Sequence, residues 1–150
     1  MVTHEVAITI NRPIQEVFAY VSDFQKSLEW QSGLVESKRI SEGAQGVGAQ
    51  YVGARNFMGR KLESTIELTS FEQDKQFAYK SIAGSTHFHQ SFSFEPADGG
   101  TRVSSSIEME TGGLLGLAKP LILSSLKHDM GADFETLKKR LEARMPEAAA

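Results

Sequence analysis

The groups in this chain that could do acid–base, metal or anion chemistry are a handful of histidines, tyrosines, arginines and carboxylates. His87-x-His89 is a spacing that puts two imidazoles on one face of a strand. A metal would need further ligands; none is expected nearby, and a Cys count of 0 excludes every Cys-containing zinc site. These histidines therefore read as solvated, and no metal or other cofactor is expected. Gln90 stands differently, because it alternates with Phe88, Phe92 and Phe94 on the opposite face of the same run. An amide among phenylalanines must find partners, since burial without them costs about 1–3 kcal/mol. It either bonds a neighbouring side chain or orients a polar atom of a ligand.

Tyr51, Arg55 and Phe57 share one face of a second run, with Val52, Ala54 and Asn56 on the other. The aromatic face is the favoured inward one. It would bury the Arg55 guanidinium and require a carboxylate, an enolate or a ligand oxygen beside it. Tyr79, with Phe77, is expected inward on a third run, and Asp129 and Asp133 flank an apolar helical stripe. By strand parity no carboxylate pair and no His–carboxylate pair is expected in the interior. Glu63, Glu67 and Glu108 fall on solvated faces, and Asp23 reads as a helix cap. Ser104-Ser105-Ser106 has no nucleophile-elbow pattern. No catalytic constellation is evident.

The elements that must position these groups follow from periodicity. Residues 3–10 alternate Val6, Ile8, Ile10 against Glu5, Ala7, Thr9, a half-buried strand. Pro13 suits a first helical turn, and Ile14, Val17, Phe18 and Val21 make one stripe of a short helix. Ser22-Asp23 can end it and cap a second short helix running to about Trp30. Strands are predicted near 34–41, 47–57, 60–71, 76–82, 86–95 and 101–110, separated by short turns such as Asp74-Lys75 and Asp98-Gly99-Gly100. Connections this short make the pairing mostly antiparallel. In 60–71, Leu62, Ser64, Ile66 and Leu68 face in; in 101–110, Val103, Ile107 and Met109 do. Pro120 then opens a long helix whose Leu123, Leu126, Met130, Phe134, Leu137 and Leu141 form one buried face. Residues 145–150 read as a frayed end.

The whole is predicted as a single α+β domain over 1–150: a curved seven-stranded antiparallel sheet wrapped around the C-terminal helix, with two short helices after the first strand. Only that helix is long enough to cover the apolar face of the sheet, and the gap between them is where a ligand would go. Composition fits. The 150 residues are 40% hydrophobic and 23% charged, with 16 basic against 19 acidic residues, so nothing suggests a grip on nucleic acid. The longest apolar stretch, Leu114 to Leu123, is cut by Gly116, Lys119 and Pro120 and is too short to span a membrane. The start lacks a signal-peptide pattern, and the expected location is the cytoplasm.

The stretch Arg12-Pro13-Ile14-Gln15-Glu16-Val17-Phe18-Ala19-Tyr20-Val21-Ser22-Asp23, followed by Trp30, resembles the opening of SRPBCC (START-related) proteins. It is closest in pattern to their polyketide cyclase/dehydrase and lipid-transport branch. Gly46-Val47-Gly48, Gly99-Gly100-Thr101-Arg102-Val103 and Gly112-Gly113-Leu114 are similar more loosely. The resemblance implies a helix-grip fold whose cavity takes lipids, polyketides, hormones or quinones in relatives.

The site expected on these grounds is a ligand cavity made by Trp30, Tyr51, Arg55, Phe57, Tyr79, Phe88, Gln90, Phe92, Met130 and Phe134. Leu114, Leu115 and Leu117 would gate its mouth. The expected function is binding of a hydrophobic or aromatic small molecule. The alternatives are a polyketide cyclase or dehydratase, in which Tyr51, Tyr79 or Arg55 polarises a carbonyl, and a quinone chaperone or assembly factor. A homodimer is compatible with the sequence.

Overall fold

The structure is a computed structural model that describes residues 1–57, 59–84, 86–110 and 117–143, the side chain of Phe57 excepted. Leu114, Leu115 and the expected frayed end lie outside the described residues. In chain order the elements are β1 (Val2–Ile10), α1 (Ile14–Val21), a 3-10 turn (Lys26–Glu29), β2 (Leu34–Arg39), β3 (Gln50–Phe57), β4 (Arg60–Glu72), β5 (Gln76–Gly84), β6 (Phe88–Ala97), β7 (Gly100–Met109) and α2 (Lys119–Ala143). The seven strands form one antiparallel sheet in the order β1-β7-β6-β5-β4-β3-β2, which grips α2 as a helix-grip fold does. Each hairpin pairs with its sequence neighbour. The exception is β1, which crosses to β7 and so makes the first and last strands adjacent.

Three local expectations are corrected. Pro13 does not begin α1; its φ of −61° and ψ of 147° leave it just outside, at the N-cap position. The second short helix is only the four-residue turn Lys26–Glu29, because Asp23 Oδ1 accepts from the Gln25 N–H at 3.2 Å and spends the segment in a tight turn. β3 also starts at Gln50 rather than near 47, since Gly48 turns with φ +92° and Val47 is exposed.

The core lies between sheet and helix in two clusters. The larger joins α1 (Val17, Phe18, Val21), the sheet (Ile10, Leu68, Phe77, Phe92, Phe94, Val103) and the C-terminal half of α2 (Phe134, Leu137, Leu141). The smaller holds Val2 and Ile107 against Ile122 and Leu126 of the N-terminal half. Ile122 thus replaces part of the expected role of Leu123, which is only partly buried. Polar straps fix the far end of α2: Lys138 donates to the Thr9 carbonyl, and Glu142 accepts from the Asn11 N–H at 2.8 Å. A side chain at Gly100 would overlap the Ile10 carbonyl oxygen, so the β1–β7 crossing needs a glycine there.

Candidate functional site

Between the two clusters the sheet and α2 part to leave a cavity of about 170 Å³. Its apolar wall is aromatic. Trp30, Phe88, Phe92, Met130 and Phe134 all line it. Trp30 meets Phe134 edge to face at 6.1 Å, and Phe92 stacks on Phe134 at 6.3 Å, so strand, turn and helix each contribute a ring. Trp30 is 3% exposed, and its indole N–H has no partner among the described residues.

The polar wall is built by alternation. Residues of both faces of β3 reach the cavity, Val52 and Ala54 included, but Tyr51 and Arg55 stand opposite Ile66 and Leu62 of β4, which also line it, so the side that carries Tyr51 and Arg55 is the inward one. Tyr51 packs on Phe24 at 4.8 Å and donates its hydroxyl to Gln45 Oε1. Burial pushes its pKa up, against the opposing effects of the Gln45 bond and the Arg39 charge. Tyr79 on β5 donates to Gln90 Oε1 at 2.7 Å, and Gln90 in turn donates to Ser105 Oγ at 3.0 Å. Gln90 therefore finds its partners within the sheet. Burial pushes the Tyr79 phenol up to about 12, with the Arg55 charge pulling the other way.

The helix contributes the two carboxylates that flank its apolar stripe in sequence. Asp129 and Asp133 both line it, one turn apart on α2. Asp133 is 5% exposed, and its Oδ1 accepts from both the N–H (3.0 Å) and the hydroxyl (2.9 Å) of Ser32. Burial raises its pKa; the Ser32 bonds and Arg55 oppose that shift, and the Asp129 charge adds to it. Arg55 donates to Gln31 Oε1. Positions 129, 130, 133 and 134 lie on one helical face, so the aspartates share the stripe of Met130 and Phe134; only Asp133 is buried, while the Asp129 side chain is 43% exposed and accepts from the Ser125 hydroxyl.

Other sequence-predicted groups fall outside this region. His87 and His89 are exposed, as are Glu63 and Glu108, and Glu67 is half-buried on the outer side. Leu117, expected at the mouth, is 83% exposed. Gln31 and Ser32 are additions that the sequence reading does not contain, and Ser105 enters it only within Ser104-Ser105-Ser106, not as a partner of Gln90. Ser105 could have been found from its parity with Val103 and Ile107, whereas Gln31 and Ser32 sit in a turn with no periodic signal. Among the described residues no three His, Asp or Glu side chains gather in a way that could hold a metal ion. No helix among the described residues is long and apolar enough to cross a membrane.

A sequence model of the family described as "Polyketide cyclase / dehydrase and lipid transport" matches residues 1–142. The chain belongs to this family. No curated protein matches it in sequence. Among solved structures, TTHA0849 from Thermus thermophilus is similar, with a TM-score of 0.83 and 16% identity over 95% of this chain and 98% of that one. The ZhuI aromatase/cyclase from Streptomyces sp. R1128 has a TM-score of 0.80 and 14% identity, covering 99% and 98%. A START superfamily protein from Mycobacterium smegmatis has 0.74 and 14%, covering 93% and 97%. At such identities these likenesses speak for the helix-grip fold, and the members of this fold family differ in what they do with it. Membership of this polyketide cyclase/dehydrase and lipid-transport family supports the coarse class of a hydrophobic-ligand-binding or cyclase-type protein.

Proposed function

We propose that this family member binds a compact aromatic molecule carrying an oxygen function, such as a phenol or quinone-like ring. The observation that carries this reading is one cavity whose aromatic wall meets Arg55 and Asp133 at its polar side. Size narrows the class. A cavity near 150 Å³ holds one benzene ring, while pockets for drug-sized ligands run from about 300 Å³. At about 170 Å³ this one suits one small ring system better than a long acyl chain. Arg55 has donors beyond the one spent on Gln31, and it suits an oxygen acceptor.

Native mass spectrometry of the purified protein, followed by denaturing extraction, tests the reading. A released aromatic species of discrete mass supports it, as does a thermal shift with phenols or quinones but not with fatty acids. Release of an acyl lipid, or no shift with any aromatic probe, overturns it.

A second reading, the cyclase or dehydratase type, is favoured by Asp133. A carboxyl whose burial favours the protonated form can pass a proton to a leaving hydroxyl, while Arg55 stabilises charge on a carbonyl oxygen. Turnover lost in Asp133→Asn with ligand binding intact would support it.

A further inference from the structure

The two edges of the sheet are not alike. On β1, α2 reaches over and Lys138 caps the outward Thr9 carbonyl. On β2 the Leu34 N–H is spent on the Gln31 carbonyl at 3.1 Å, but beyond the bulge the outward backbone carries no hydrogen bond among the described residues, and its direction can be worked out. The Ile40 N–H donates to the Gln50 carbonyl at 3.0 Å, so alternate residues Lys38 and Glu36 also turn their backbone groups towards β3. Ser37 and Arg39 must then point their N–H and C=O groups away from the sheet. The side chains divide the other way, with Glu36, Lys38 and Ile40 exposed and Ser37 and Arg39 half-buried.

From this geometry we propose that β2 is a self-complementary edge that pairs antiparallel with β2 of a second copy of the chain. A two-fold axis at Ser37 makes Ser37 opposite Ser37 a hydrogen-bonded pair. The next positions out place Glu36 of each copy opposite Lys38 of the other. Those are non-hydrogen-bonded positions, where opposed side chains come closest, and both contacts are attractive. Glu36 at present bonds Lys61 at 3.3 Å on an exposed surface, a contact weak enough to be exchanged. The bulge between Leu34 and Glu36 keeps the ladder short, so the dimer is weak and concentration-dependent rather than obligate. The joined sheets would have fourteen strands and leave both cavities on their own α2.

Sedimentation equilibrium of the full chain tests this, with circular dichroism confirming that each variant is folded. The wild type is expected to dimerise at concentrations up to about 1 mM. Lys38→Glu opposes two glutamates at each of the two sites and is expected to weaken association at least about tenfold. Adding Glu36→Lys restores opposite charges in reversed order and is expected to bring the dimer back. A wild type that stays monomeric over that range overturns the proposal. So does a dimer indifferent to Lys38→Glu, or one the double variant does not restore.

Discussion

The Tyr79 hydroxyl donates to Gln90 Oε1 at 2.7 Å, and because Gln90 passes a bond on to Ser105, one polar chain crosses β5, β6 and β7 inside an aromatic interior. Tyr79→Phe removes the donor and leaves Gln90 Oε1 buried with its acceptor unused. The expected loss is about 1–2 kcal/mol in urea unfolding. Gln90→Ala removes both bonds and leaves two hydroxyls to find other partners, and should cost at least as much.

The same tyrosine sets an alkaline limit. Its folded pKa of about 12 lies above the ordinary value of 10.0, so the unfolded chain gives up the proton first. The stabilisation is complete below pH 10 and lost as pH rises towards 12. Comparing wild type with Tyr79→Phe, the difference in unfolding free energy should shrink through that window; a constant difference would contradict the assignment.

Asp133 titrates in the same sense at the acid end. Burial raises its folded pKa above the ordinary aspartate value, so its contribution is full at low pH and declines as pH rises through the folded value. Asp133→Asn keeps an oxygen to accept both Ser32 bonds and should flatten this part of the stability–pH curve. Asp133→Ala discards those bonds, with an expected cost of about 1–3 kcal/mol at neutral pH.

Arg55 separates binding from folding. With one bond to Gln31 and a position on the cavity wall, Arg55→Ala should weaken a phenolic or quinone-like ligand by about tenfold to a hundredfold, while the unfolding midpoint moves little. Isothermal titration beside urea unfolding checks both halves. Phe92→Ala is the contrasting case: Phe92 is fully packed, and its truncation should cost about 3–5 kcal/mol of stability.

Gly100 carries a backbone requirement rather than a contact. Gly100→Ala forces the new methyl onto the Ile10 carbonyl and should destabilise by about 3 kcal/mol or more, read as a lowered thermal midpoint.

Much of this was legible in the sequence because sheet and helix periods are different. Alternation placed Phe88, Gln90, Phe92 and Phe94 on one face, and the 3–4 stepping of Leu126, Met130, Phe134 and Leu137 identified the gripped face of α2. The polar half was harder to see. Asp133 looks like a flank of the stripe until Ser32, 101 residues away, is brought against it. Non-local pairing of this kind leaves no periodic trace. Ser105 is hidden for the opposite reason: a small hydroxyl at an inward position gives no apolar signal, though its parity is unambiguous.

Trp30 is the only tryptophan, and it forms part of the cavity wall, so its emission reports directly on occupancy. Titrating the protein with a naphthol or naphthoquinone while following that emission tests the central claim. The account expects a saturable change, weakened about tenfold or more in Arg55→Ala and absent with a saturated fatty acid. Saturable binding seen by calorimetry with no change at Trp30, or a response to the fatty acid alone, would contradict it.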